Sequence, residues 1–234
     1  MYTLIGLPGL FKAYTYTAAF VAGLKLAVSY FIFGLRLNSA GGFIDAGLSA
    51  LGTGILVTSG LVWACQTPIF PLACRKTPLR LLFPPIDGEW LGELDSNFAA
   101  IAERDPELSK QGFVPQPTEA RLLIKARLLT VSINLKSRPL NSDSPYLESD
   151  TLIVGATREG TDRHLRLTYV YRAHARTYLP TDSELHHGAA LLDMEEAGAV
   201  QSLRGTYWTD RNWRQARNTA GIARFERPNP LKAP

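Results

Sequence analysis

Two cysteines, Cys65 and Cys74, serve the whole chain of 234 residues, and both lie in or beside one apolar stretch. The polypeptide beyond residue 78 has none, so no disulfide framework holds it together and it fits a reducing compartment. The short signatures of catalysis and cofactor binding are missing too. There is no His-Glu-x-x-His pair, no glycine-rich phosphate loop ahead of a lysine, and no dinucleotide fingerprint. Neither Gly-x-Ser-x-Gly nor Ser-x-x-Lys occurs, and Ser142 and Ser144 have no evident base nearby. Of the four histidines, His164, His174, His186 and His187, the adjacent pair points to opposite faces of any strand and cannot easily share a metal. No metal site, no cofactor and no catalytic residue is therefore expected, and the chain reads as a non-enzyme. No internal repeat or low-complexity segment appears.

What the chain does have is two long apolar runs near its start. The first spans about residues 13–37 and holds only Lys25 and Arg36 as charges; the second spans about 46–74 and holds no charge. A helix needs roughly 20 apolar residues to cross a bilayer, and both runs reach that length. Lys12 precedes the first, while Arg75, Lys76 and Arg80 follow the second, so the positive-inside rule puts both termini in the cytoplasm. A cleaved secretory leader is the alternative for the first run, with Asn38-Ser39-Ala40-Gly41 as its cleavage site. The second run, following at once, favours a multi-pass inner-membrane hairpin. Gly6, Pro8 and Gly9 make the segment up to Phe11 an irregular lead-in, and Pro68 and Pro71 end or kink the second helix. Lys25 is costly within a span; it either lines a path or joins helices, or it snorkels to the interface. The small residues of the second run, Gly52 and Gly54 among them, suit close helix packing and self-association.

The net charge of +4 comes from the first 85 residues, where six basic side chains face Asp45 alone. The excess thus sits at the membrane, which argues against bulk nucleic acid as partner. Residues 79–88 form a linker with Pro84-Pro85, and from there the hydrophobic period changes to two. Strands are expected at 90–94, 121–127, 129–137, 150–156, 163–172, 187–195, 201–208 and 220–227. The first half of 121–137 also has the composition of a helix. Eight short strands with hairpin-length links make residues 89–227 a small closed barrel, whose interior is packed or just large enough for a small ligand. A tail, 228–234, follows. The fold class is then a two-helix transmembrane hairpin followed by a cytoplasmic all-β domain.

Chemistry concentrates between Leu203 and Phe225. Tyr207, Trp208 and Trp213 alternate there with Arg211, Arg214, Arg217, Asn212, Thr209 and Thr219, and Tyr169 and Tyr171 share one face of another strand. Aromatic rings stack on bases, guanidinium forks match phosphate oxygens, and Asn or Thr reads base edges. The same residues also suit a barrel that needs aromatic plugs and a solvated basic loop. Two readings stay open on these grounds: a nucleotide-like ligand, or a membrane-anchored scaffold gripping a lipid or protein. A membrane-tethered hydrolase is a third, for which two carboxylates or a His–carboxylate pair in one cleft are required.

The ordered set of short motifs resembles a known family. Two N-terminal spans are followed by Trp90-x-Gly92, the 121–137 strands, Ser142-x-Ser144, Leu167-x-Tyr169-x-Tyr171, His187-Gly188, Gly205-x-Tyr207-Trp208-Thr209-x-Arg211 and Thr219-x-Gly221. This is similar to the two-transmembrane, β-strand-rich effectors of bacterial cyclic-oligonucleotide anti-phage signalling (CBASS), the CD-NTase-associated membrane effectors. The resemblance implies a barrel that binds a cyclic dinucleotide made by a cognate CD-NTase, then self-association of the spans into a homo-oligomer that disrupts the inner membrane and arrests growth. Tyr171, Tyr207, Thr209, Arg211 and Thr219 carry over as pocket positions, with Tyr169 and Asn212 beside them; Trp90 and Gly205 carry over as architecture. The chain departs from the pattern in its Leu- and Ala-rich 121–128 segment and its heavily basic 211–218 loop.

Overall fold

A computed structural model describes residues 2–32, 40–106, 108, 118–139, 147–159, 164–174, 185–197 and 200–228. Helix α1 runs Gly6–Phe31 and α2 runs Ala40–Ala64. The expected lead-in is therefore helical from Gly6. Pro8 is tolerated because it falls in the first turn, where its missing N–H has no intrahelical acceptor to lose. The link expected at 38–45 is likewise helical from Ala40, and residues 33–39 lie outside the described residues. The expected second span divides in two. Helix α2 stops at Ala64, a turn leads to Pro68, and a separate helix α3, Ile69–Lys76, follows. Among the described residues one helix, Gly41–Ala64, is long and apolar enough to cross a membrane. Helix α1, with Lys12, Lys25 and its Tyr and Thr hydroxyls, is less apolar.

The two long helices pack antiparallel. Tyr14 Oη meets Ser59 Oγ at 2.9 Å near one end, and Lys25 meets Ser49 and Thr53 near the other. On α2 the contact face is built from small residues four apart, Ala50, Gly54 and Thr58, all three buried. The opposite faces present Phe20, Phe31, Leu56 and Trp63 to the surroundings.

Strands β1 Gly88–Ser96, β2 Thr118–Ala126, β3 Val131–Pro139, β4 Leu147–Glu159, β5 His164–His174, β6 Leu185–Ala197, β7 Val200–Thr209 and β8 Ala220–Pro228 form one closed barrel in chain order. Each neighbouring pair is antiparallel, and β8 closes on β1 through Leu91↔Glu226 to Ser96↔Gly221. The ambiguous 121–127 segment is strand because Ala120, Leu122, Ile124 and Ala126 alternate inward with Arg121, Leu123 and Lys125 outside. Helix α4, Phe98–Arg104, follows β1, and Asn97 ties it to β8 by bonds to the backbone N–H and C=O of Ala220, both at 2.9 Å.

One barrel end abuts the helices. Leu128 N–H donates to Cys65 O at 3.1 Å, Leu129 N–H to Gln66 Oε1 at 3.3 Å, Ala156 N–H to Thr3 Oγ1 at 3.3 Å, and Arg158 to Leu81 O. The linker enters this mouth and plugs it. Phe83 and Ile86 are buried among Trp90, Leu122, Leu167, Leu203 and Phe225, and Trp90 Nε1 donates to Ile86 O at 3.0 Å. Arg227 seals the plug by donating to Pro85 O, to Asp87 O at 2.7 Å and to Gln201 Oε1 at 3.1 and 3.0 Å, its guanidinium 4.0 Å above the Trp90 ring. The helix-proximal half of the barrel is thus a filled apolar core, and any ligand space lies toward the other end.

Candidate ligand-binding site

At the helix-distal end the inward positions change from aliphatic to tyrosine, small and hydroxyl residues. Period-two alternation on β5 points Leu165, Leu167, Tyr169, Tyr171 and Ala173 inward. The rings of Tyr169 and Tyr171 lie 5.6 Å apart, tilted by 39°. Opposite Tyr171 on β6 is Gly188, where a Cβ would sit 2.4 Å from the phenol carbon, so only glycine leaves the ring its place. Tyr207 stands between two small neighbours, Ala190 and Gly221, and shares a hydrogen bond with Ser96. Burial pushes the phenols of Tyr169 and Tyr171 far above their usual range; Tyr169, Tyr207 and Asp210 add to the effect at Tyr171. Burial also raises Tyr207. All three remain neutral phenols at physiological pH, able to donate a hydrogen bond as well as offer a ring face.

The loop between β7 and β8 forms the rim. Thr209 and Thr219 are buried and spend their hydroxyls on each other at 2.9 Å, while Thr209 N–H donates to Thr219 O at 2.8 Å. The loop then rises through Asp210 and Arg211 into a short 3-10 turn, Trp213–Gln215, flanked by two left-handed residues, Asn212 (φ 48°) and Ala216 (φ 56°). Asparagine tolerates that conformation; alanine there is strained, which marks a loop whose shape is held by its surroundings. Arg217 Nε reaches Asp105 Oδ2 at 2.5 Å, pinning the loop to the end of α4. Asp210 Oδ1 accepts from His187 N–H at 2.6 Å, pinning it to β6. Arg211 is half-buried, its backbone N–H donating to Thr209 Oγ1 at 3.3 Å.

Five of the seven expected ligand residues therefore line the lumen: Tyr169, Tyr171, Tyr207, Thr209 and Thr219. Arg211 and Asn212 stand above them on the rim. The threonine hydroxyls act first as a clasp between strand ends. The expected aromatic interleaving is not one surface, since Trp208 points outward and Trp213 is exposed with Arg214 stacked 5.6 Å from its ring centroid. Sequence reasoning passed over Ser137, Ser149 and His186, which are buried in the same distal half; Ser149 Oγ has no hydrogen-bond partner. Their parity was the available signal, because Ser137 follows Ile133 and Leu135 inward on β3 and His186 precedes Gly188 and Ala190 on β6. Ser142 and Ser144 lie outside the described residues. Among the described residues no cluster of three or more His, Cys, Asp or Glu side chains is placed to hold a metal.

The expected assembly residues separate. Lys25 does not snorkel: Nζ donates to Ser49 O, Ser49 Oγ and Thr53 Oγ1 at 3.0, 2.8 and 2.7 Å, so all three ammonium protons are used on α2. Gly54 is consumed within the chain, a Cβ there lying 2.3 Å from Ala18 O. Gly52 faces open space, with nothing within 4 Å of a Cβ.

Comparison with known proteins bears on this site. The chain is similar to CD-NTase-associated protein 15 of Escherichia albertii. The two are 25% identical over 139 residues, 59% of this chain and 60% of that relative. The likeness is that of distant relatives and covers less than two thirds of the curated protein. No family model matches the chain, and no solved structure matches it.

Proposed function

We propose that the chain is a membrane-anchored anti-phage effector whose barrel binds a cyclic dinucleotide at its helix-distal end. The observation that carries the reading is the distal lumen itself, with three neutral tyrosines beneath a rim bearing Arg211, in a chain distantly related to a CD-NTase-associated protein. Ring faces and phenol donors suit a base, and a guanidinium suits a phosphate. The rim also holds a His–carboxylate pair, His187 Nδ1 3.5 Å from Asp210 Oδ2, with both side chains half exposed; in this reading the pair holds the loop, and we assign the chain no catalytic role and no cofactor beyond the ligand.

In this reading α1 and α2 both cross the inner membrane, with the barrel and both termini in the cytoplasm, and a cognate CD-NTase supplies the ligand. Binding favours a homo-oligomer of the helices that disrupts the bilayer and stops growth. Moving such an equilibrium from one per cent to ninety-nine requires the ligand to prefer the assembled state by about 10⁴-fold, or about 5.5 kcal/mol. That preference has to come from contacts the ligand makes only in the assembled state, whereas surface buried on the open Gly52 side of α2 sets the equilibrium on which the ligand acts.

Co-expression of the chain with a cyclic-dinucleotide synthase tests the reading. Growth arrest and entry of a membrane-impermeant dye are expected only when both proteins are present. The Gly52→Leu variant should bind ligand and spare the cell. Arrest that is independent of the synthase, or absent with synthases of every product class, overturns the proposal.

A further inference from the structure

Helix α3 and the residues after it form a surface that neither the barrel nor the helix pair uses. The helix is amphipathic in the contact sense. Phe70, Pro71 and Cys74 are buried, and Phe70 packs edge-on against Phe83 at 5.4 Å between ring centroids. The other side shows Ile69 (60% exposed) and Leu72 (51%), and the 3-10 turn Pro78–Leu81 adds Leu79, Leu81 (68%) and Leu82. Lys76 and Arg80 are exposed among these apolar side chains, with Arg75 half-buried beside them and donating to Asp87 O at 3.0 Å. No acidic residue occurs between Asp45 and Asp87. Asp87 is already paired with Arg127 at 2.7 Å.

The place of this surface matters as much as its chemistry. It begins five residues after the end of α2, at the level where the β2–β3 turn docks on Cys65 and Gln66. Exposed Trp63, a residue type that favours the headgroup region, lies one residue before the end of α2. A segment that starts where a span leaves the hydrocarbon, and presents leucines interleaved with fixed positive charge, matches the boundary between acyl chains and anionic headgroups.

We propose that residues 69–82 are an interfacial foot that lies in the headgroup layer of an anionic bilayer leaflet. Ile69, Leu72, Leu79, Leu81 and Leu82 enter the acyl boundary, and Lys76 and Arg80 bind lipid phosphates. The inference rests on the membrane reading of α2. It adds a lipid-binding surface distinct from the ligand pocket and ties the plugged end of the barrel to the leaflet. The foot therefore senses lipid charge, whereas a bare span does not.

The test uses the full chain reconstituted in nanodiscs whose lipids carry brominated acyl chains, which quench indole emission on contact. In the parent protein, quenching of Trp63 reports that α2 is in the bilayer. In a Trp63→Phe background, Leu81→Trp places a reporter at an exposed position, and its emission is read as the difference from Trp63→Phe alone because Trp90, Trp208 and Trp213 also emit; the Trp63 signal is read likewise as parent minus Trp63→Phe. With phosphatidylglycerol present the Leu81→Trp emission should be quenched. With phosphatidylcholine alone, or after Lys76→Gln and Arg80→Gln together, most of that quenching should be lost. If Trp63 is quenched but Leu81→Trp is not, the foot is wrong and the span stands. Quenching of Leu81→Trp that is equal in both lipids overturns the anionic preference. Quenching of neither tryptophan overturns the membrane reading, and the foot with it.

Discussion

Replacing Arg227 by Met should loosen the barrel from the helices. Arg227 is only 9% exposed, and its guanidinium binds linker carbonyls and Gln201 while covering Trp90. Methionine restores part of the packing and none of the donors, stranding Pro85 O and Gln201 Oε1 in a closed mouth and leaving Asp87 O to Arg75 alone. Its partners are neutral oxygens, so the cost is that of two buried acceptors left unpaired, at about 1–3 kcal/mol each, plus the lost contact with Trp90, about 3–5 kcal/mol in all. For a domain of this size each kcal/mol is worth roughly 3 °C, so the barrel's midpoint should fall by about 10–15 °C. Arg227→Lys keeps the charge without the fork and should lose about half as much. Near-UV circular dichroism reads the transition, with Trp90 as the local reporter. A midpoint for Arg227→Met within about 2 °C of the parent would refute the idea that this residue holds the plug.

Tyr169 and Tyr171 predict an alkaline limit to stability. Unfolded, they ionise near 10; folded, burial holds their protons to higher pH, so the folded state binds more protons above that point. Their contribution is complete below pH 10 and is lost as pH rises beyond it, by up to about 1.4 kcal/mol per pH unit for each tyrosine. Tyrosinate absorbance should show these two ionising only in step with unfolding, and smooth ionisation of all tyrosines in the folded chain would contradict this. Gly205→Ala should cost at least about 3 kcal/mol in chemical denaturation, since its Cβ would lie 1.8 Å from the backbone oxygen of Leu191; a parent-like midpoint counts against the register. The Cys74 thiol, pushed up to about 11 chiefly by burial, should resist alkylation at neutral pH after Cys65 has reacted, and equal rates would show that α3 is not docked.

The strands were legible in the sequence because one face of each is buried. Residues 163–172 announced their inward side by simple alternation, and Tyr169 and Tyr171 came with it, whereas 201–208 did not, since Gln201, Ser202 and Leu203 are all buried. Helix ends were less legible. Hydropathy averages over composition, so the uncharged run from 46 to 74 set the far end of the span too late; the break expected at Pro68 is there, between α2 and α3, while Pro71 sits in the first turn of α3. The Arg227 plug was hidden for another reason: its acceptors lie about 140 residues earlier, and an inward Arg at a strand end looks like a fraying charge until the barrel closes. The rim resisted for the same reason, since the Arg217–Asp105 and Asp210–His187 bonds join segments that are distant in the chain.

Titration calorimetry of the full chain in detergent against a panel of cyclic dinucleotides tests the central claim most directly. At least one member should bind well below high-micromolar concentration. Arg211→Ala should weaken that binding roughly tenfold to a hundredfold, the loss of about 1.5–3 kcal/mol from one charged hydrogen-bonded contact. Failure of every cyclic dinucleotide to bind more tightly than high micromolar would contradict the account.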